Sequence, residues 1–209
     1  MYDRKVGGKP ATVTRFFALR LNNQGVEDIS KLQLLLAKQL NDGNVTEVNP
    51  HDFHVTMLHM KQMNSEQDNT AAQMIDDIEK QSDIVVALSH VRVLGQSIVL
   101  EFKNDEVDQL RDSLVTLRNE RLPTVQTSGL DQKTGKPTQS FISHISLLEF
   151  NEKPHDIARY EKVLNKALRA ELPCQVTLNK IEYLEHIASM QSPAIVYQAI
   201  QSRPLIEDE

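Results

Sequence analysis

Phe53-His54-Val55-Thr56-Met57 decides how this chain is read, because Ser143-His144-Ile145-Ser146-Leu147 repeats its pattern ninety positions later, from His54 to His144. Both copies read His, apolar, small hydroxyl, apolar, inside short runs rich in β-branched residues that predict strands. On a strand successive side chains alternate faces. His54 and Thr56 therefore share one face while Val55 and Met57 take the other, and the same holds for His144 and Ser146 against Ile145 and Leu147. Each strand offers an imidazole and a hydroxyl on one side and plugs a core with the other. Two such strands side by side bring two histidines and two hydroxyls into one cleft.

Those groups suit attack on a phosphodiester. The reaction needs a base for the incoming oxygen, an acid for the departing one, and donors for the charged non-bridging oxygens. An unperturbed imidazole titrates near neutrality, so one ring can accept a proton while the other gives one. Thr56 and Ser146 can donate to the phosphoryl oxygens where charge builds up. Nothing in this logic requires a metal. His51 and His59 flank His54, but strict alternation sets His59 with Val55 and Met57, away from His54, so no three-histidine metal site is expected.

The paired tetrads resemble the signature of the 2H phosphoesterase superfamily. Phe16-Phe17-Ala18-Leu19-Arg20-Leu21 resembles that family's opening strand, Pro50-His51-Asp52-Phe53 its lead-in to the first motif, and Val107 to Leu117 the helix between the motifs; the likeness runs over roughly Thr14 to Phe150. Ser143 stands where the ligase-like branch often has Pro, so the resemblance is to the superfamily rather than to that branch. The resemblance implies a bilobal arrangement with the motif strands facing across a central cleft. It also implies substrates that are 2′,3′-cyclic phosphates, 2′–5′-linked oligonucleotides or related small nucleotides, with 2′–5′ RNA ligase activity in one branch. Catalysis would fall to His54 and His144 and phosphate binding to Thr56 and Ser146, with no cofactor. A nucleotide-binding sensor or anchoring module without turnover is the competing reading, and an interaction protein with coincidental histidines a third.

Bulk composition bounds the partners. The 209 residues, 40% hydrophobic and 25% charged, fit a globular domain, and a net charge of −6 without a basic run argues against a long nucleic-acid duplex. A small nucleotide, a short oligonucleotide or an RNA end remains compatible. The single cysteine, Cys174, excludes an internal disulfide and reads as a structural thiol. No apolar run reaches membrane-spanning length and the first nine residues lack a signal core, so a monomer in the cytoplasm is the expectation.

Periodicity supplies the rest. Residues 1–11 read as a flexible lead, 12–201 as one domain and 202–209 as a loose acidic tail. Strand 12–21 sets Phe16, Ala18 and Arg20 on one face; Arg20 is a candidate phosphate ligand or an exposed strand-end charge. Helices are expected over 26–40, 64–81 with Ser65 as cap, 105–121 capped by Asn104, and 154–170 with Ile157 inside. A strand over 83–94 turns at Gly95 into a return strand over 97–102, with His90 structural. The polar stretch 124–140, with almost no apolar anchor, covers the substrate or is a solvated insertion. The second motif strand runs 141–150. Strands over 176–184 and 194–200, joined near Gln191 to Pro193, carry Tyr183 and Tyr197, each a base-stacking candidate or a packing residue. The order predicts an α+β fold, internally duplicated. With the resemblance it becomes bilobal and pseudo-two-fold, with antiparallel sheets lining the cleft and helices outside.

Overall fold

The computed structural model describes residues 5–6, 9–10, 12–40, 43–61, 63–78, 82–131, 141–171, 174–188 and 196–205. In chain order the elements are β1 (Lys5–Val6), β2 (Lys9–Pro10), β3 (Thr12–Leu21), α1 (Asn23–Leu40), β4 (Val45–Glu47), a 3-10 turn (Pro50–Asp52), β5 (His54–Lys61), α2 (Ser65–Gln73), β6 (Ile84–Ala87), β7 (His90–Leu94), β8 (Ser97–Phe102), α3 (Asp105–Arg121), β9 (Gln126–Thr127), β10 (Ser143–Phe150), α4 (Ile157–Glu171), β11 (Gln175–Ala188) and β12 (Val196–Pro204). Apart from the β1–β2 pair, the strands form one antiparallel sheet in the order β12-β11-β3-β5-β10-β8-β7, with β4 on β10, β6 on β11 and β9 on β5.

The duplication is visible in the pairing. β3 lies beside the first motif strand β5, and β8 beside the second motif strand β10. After β3 the chain passes through α1 and crosses to pair β4 with β10; after β8 it passes through α3 and crosses to pair β9 with β5. α1 packs with α4 and against both β11 and β10, while α3 packs against β5. Each lobe thus borrows a short strand from the other's half of the sequence. The motif strands were expected to face one another across the cleft. They are neighbours in the same sheet, joined at one bridge between Val55 and Ile145.

Amphipathic spacing explains the core. Ile29, Leu32 and Leu36 of α1 and Val107, Leu110 and Leu114 of α3 are buried on one stripe each, opposite Val55, Ile145 and Leu147 of the motif strands. Burying each such side chain contributes about 1.5–3 kcal/mol. Gln33 is buried among them and donates to the carbonyls of Val48 and Leu147, both at 2.7 Å, satisfying polar groups in the crossover to β4.

Both motif strands bulge at the same place. Against β3 the register slips between Phe17·Leu58 and Ala18·Thr56, leaving Met57 without a partner; against β8 it slips between Ser146·Val99 and Leu148·Ile98, leaving Leu147 over. One extra residue reverses the alternation beyond it. Leu58 and Met60, expected beside His54, are therefore 2% and 1% exposed in the core. His59, expected on the core side, turns to the cleft face, where its ring lies 5.3 Å from Phe16.

Other boundaries also move. The expected strand 83–94 breaks at Leu88-Ser89: β6 pairs with β11, and only β7 forms the hairpin with β8 across Gly95 at φ +64°. α2 is capped by Asn64, not Ser65, in a reciprocal box with Gln67. It ends at Gln73 and continues as three-residue turns to Ile78. Ile157, expected inside, is 38% exposed at the start of α4. The stretch from 124 does hold apolar anchors: Val125 and Leu130 are buried and β9 joins the sheet. Residues 132–140 lie outside the described residues, as do the turn at 191–193, the tail from 206 and most of the lead. β12 extends to Pro204, and Leu205 is buried with its N–H on Asn179 O at 2.8 Å, so the fold reaches past the expected end at 201. Cys174 is a half-buried free thiol whose pKa burial pushes up. No helix among the described residues is long and apolar enough to cross a membrane.

Candidate active site

The lead-in to β5 is tightly held. Asn49 caps the 3-10 turn by accepting from His51 N at 3.0 Å, with Pro50 at its first position. Phe53 then drops into the core. Arg20 of β3 donates from Nη1 to the carbonyls of His51 (3.1 Å) and Phe53 (3.3 Å), and from Nε to Glu182 Oε2 at 2.6 Å. Lys180 joins Glu182 at 3.2 Å. Burial pushes the Glu182 carboxyl up, but Arg20's hydrogen bond and charge, with Lys180 behind, hold it below its ordinary range. Arg20 is thus a half-buried, ion-paired residue that fixes the backbone before His54, and not an exposed strand-end charge. The second lead-in has its own support, Arg111 of α3 lying 4.2 Å from the Phe141 ring centre.

The two histidines are anchored identically. His54 Nδ1 lies 2.6 Å from Asp52 O and His144 Nδ1 lies 2.8 Å from Ile142 O, each the carbonyl two residues back. A carbonyl only accepts, so each Nδ1 carries a proton and donates it, which leaves each Nε2 for chemistry. His54 Nε2 is 3.1 Å from Thr56 Oγ1. Because Val55 pairs antiparallel with Ile145, His54 stands opposite Ser146 and Thr56 opposite His144. All four expected residues occupy one face of two adjacent strands, each half-buried.

Burial dominates the electrostatics. It lowers the His54 pKa from 6.5 to about 4; the hydrogen bond to Asp52 O works against this, and the charges of Arg20, His144 and His59 add to it. His59 is lowered by burial and then by Lys61, His186 and His144, and His186 by burial. Asp52 is raised by burial, against the pull of Arg20 and His51. Tyr197 is pushed up to about 12 by burial, with Glu149 and Asp52 adding to it.

The two candidate tyrosines part company. Tyr197 sits on the cleft face with its ring centre 5.2 Å from His54, 5.7 Å from Phe16 and 5.1 Å from His186, stacked on the last. Tyr183 faces the other way and is corrected to a core residue: it is fully buried, lies 4.9 Å from Phe17 and donates to Asp68 Oδ1 at 2.7 Å. Asp68 also takes Arg15 at 3.0 Å. On β11 the cleft face belongs instead to Glu182, Leu184 and His186. Sequence reasoning missed Phe16, His59, Glu149 and His186 as cleft residues. The bulges hid His59 and Glu149, which occupy equivalent positions after the two motifs. Among the described residues no cluster of three or more His, Cys, Asp or Glu side chains is arranged to hold a metal ion.

No protein-family model matches this chain, and no curated protein matches it in sequence. Solved structures do. TT0787 of Thermus thermophilus superposes with a TM-score of 0.65 at 12% identity, covering 92% of this chain and 97% of that one. LigT of E. coli complexed with ATP gives 0.62 at 13%, covering 93% and 98%, and LigT complexed with 3′-AMP gives 0.61 at 14%, covering 92% and 98%. At these identities the likeness is one of fold: the chain has the α+β, internally duplicated fold of TT0787 and LigT.

Proposed function

We propose that this protein is a 2H phosphoesterase that cleaves phosphodiesters with His54 and His144 as its acid–base pair and Thr56 and Ser146 as its phosphate ligands. One observation carries the reading: two imidazoles, each with Nδ1 tied to the carbonyl two residues back and Nε2 left for chemistry, share one face of two paired strands with the hydroxyls of both motifs. With each ring's tautomer fixed, Nε2 can only take a proton when neutral or give one when charged. Hydroxyls on the same face are suited to the phosphoryl oxygens, where charge grows in the transition state. The substrate class is a 2′,3′-cyclic phosphate or a 2′–5′-linked oligonucleotide, without a metal. In the first case water attacks phosphorus and a ribose oxygen departs. In the second the neighbouring 3′-hydroxyl attacks and a 5′-oxygen departs, leaving a cyclic phosphate. LigT has been crystallised with ATP, 3′-AMP and phosphate, which supports a nucleotide phosphate as the ligand class. The protein is read as a monomer acting in the cytoplasm on small nucleotides or RNA ends.

The test is chromatography of products from 2′,3′-cyclic nucleotides, 2′–5′ and 3′–5′ oligoadenylates and cyclic dinucleotides, with chelator present. Cleavage that persists in chelator and disappears in His54→Ala and His144→Ala is expected. Nucleotide binding with no product would favour a sensor, and joining of 2′,3′-cyclic and 5′-hydroxyl ends would favour a ligase.

A further inference from the structure

The two motif histidines share their geometry but not their neighbours. On the cleft face the strand beside each histidine carries a charged residue in direct register. Arg20 of β3 pairs with His54 of β5, and Glu101 of β8 pairs with His144 of β10. Directly paired residues bring their Cβ atoms to about 4.5–5.5 Å. A third strand completes each row. Beyond Arg20, β11 sets Lys180 in register with it, while Glu182, in register with Ala18, reaches across to Arg20 at 2.6 Å and to Lys180 at 3.2 Å. Beyond Glu101, β7 supplies His90 at 2.9 Å and Arg92 at 3.3 Å. The row through His54 has a cation next to the imidazole, with Lys180 and the bridging carboxylate of Glu182 outside it. The row through His144 has an anion next to the imidazole, with His90 and the cation Arg92 outside it. The pseudo-two-fold axis that repeats the backbone inverts the charge next to the imidazole.

Shelter makes the inversion count. Glu182 is 6% exposed and Glu101 8% exposed, so solvent screens these charges less than it would at the surface. Glu101 Oε2 is fully covered and accepts no hydrogen bond, although His90 and Arg92 both come within ion-pair distance of it. The distances place the charges together; the angles leave this oxygen under-satisfied. Around His54 stand Arg20 on β3, Asp52 in the lead-in, His59 on its own strand, His144 on β10 and Tyr197 on β12. Around His144 stand Glu101 on β8 and His54 and His59 on β5, with His90 and Arg92 beyond Glu101.

We propose that Arg20 and Glu101 are positioning residues that divide the labour between the two histidines in cleavage of a 2′–5′ bond: His54, beside Arg20, accepts the 3′-hydroxyl's proton, and His144, beside Glu101, gives the leaving 5′-oxygen its proton. A proton on His54 would set a second cation against Arg20. A proton on His144 faces a sheltered carboxylate. In the step itself the nucleophile's oxygen bonds to phosphorus as its proton passes to His54 Nε2. The bond from phosphorus to the departing oxygen breaks with its electron pair, and that oxygen takes the proton from His144 Nε2. Solvent then returns a proton to His144 and removes one from His54. The inference rests on the phosphodiesterase reading above.

The experiment compares two leaving groups on one nucleoside. A 2′–5′ dinucleotide releases an alkoxide that needs a proton; the nucleoside 2′-(4-nitrophenyl phosphate), with its 3′-hydroxyl free, releases a nitrophenolate that does not. His144→Ala is expected to lose about 10²–10⁴-fold on the dinucleotide yet stay within about tenfold of the parent on the nitrophenyl ester. His54→Ala is expected to lose on both. Glu101→Gln should slow only the dinucleotide, move the alkaline limb of its pH–rate profile downward, and be rescued by Glu101→Asp. Arg92→Met, which strips an outer cation from Glu101 and leaves the carboxylate, should move that limb upward. Rescue of His54→Ala instead of His144→Ala overturns the assignment, as does Glu101→Gln slowing both esters equally. If the parent cleaves neither ester, the phosphodiesterase reading fails, and ring-nitrogen NMR of His54 still decides the Arg20 half. A protonation midpoint for Nε2 that is higher in Arg20→Gln than in the parent supports it; a midpoint that Arg20→Gln leaves unchanged or lowers overturns it.

Discussion

The first and second motif strands are near copies in backbone and opposites in surroundings. Each starts from a held lead-in, ties Nδ1 of its histidine to the carbonyl two residues back, and bulges one residue after its hydroxyl. Each takes a short strand from the far side of the sequence. Yet β5 is flanked by Arg20 and overlaid by an aromatic and imidazole cluster of Phe16, Tyr197, His59 and His186, whereas β10 is flanked by Glu101. Duplication supplies two equivalent places for a proton. On the proposed mechanism, divergence of the neighbouring strands makes those places unequal, as an acid–base pair requires.

Removing either histidine should have the largest effect, because both places for a proton are essential to the pair. His54→Ala and His144→Ala each should cut turnover by about 10²–10⁴-fold, measured as product formed per enzyme under chelator. The hydroxyls come next. Thr56→Val and Ser146→Ala should each cost about 10²-fold in kcat, the scale of losing one transition-state hydrogen-bond donor. A double variant within tenfold of the parent would remove them from the phosphate site.

Stability should also distinguish the motifs. His54 is held to about 4 in the folded chain against 6.5 when unfolded. Between those values the unfolded chain binds the proton and the folded chain resists it, so stability is full above about pH 6.5 and falls as pH drops toward 4. The loss is at most about 3 kcal/mol, given 1.36 kcal/mol per pH unit. Urea melts at pH 7 and pH 4.5 should show it, and His54→Gln should flatten that slope. The smallest effect separates the two tyrosines. Tyr183→Phe should cost about 1 kcal/mol of stability through its lost hydrogen bond to Asp68 and leave turnover unchanged. Tyr197→Ala should raise KM.

Much of this was legible in the sequence because period two is a strong signal over four residues. His-x-Thr and His-x-Ser put imidazole and hydroxyl on one face whatever lies beyond. The bulge was not legible: Met57-Leu58 and Leu147-Leu148 are apolar pairs that suit either parity, so nothing local shows that both members enter the core. That single ambiguity misplaced His59 and concealed Glu149. The crossover strands β4 and β9 hold three and two residues, too few for any periodicity, so the exchange between lobes shows only in the pairing. Tyr183 and Tyr197 look alike as strand aromatics. They differ because β11 sends Tyr183 toward α2 and β12 sends Tyr197 over His54. Arg20 looked like a free cation because its partner Glu182 lies 162 residues away.

The most direct test of the two-histidine site is a phosphorus NMR time course on a 2′–5′ diadenylate and on 2′,3′-cyclic AMP, in chelator, with the parent and both histidine variants. The parent is expected to convert at least one of them, to a cyclic phosphate or a phosphomonoester respectively, while His54→Ala and His144→Ala leave both spectra unchanged. Conversion at the parent's rate by either variant would contradict it.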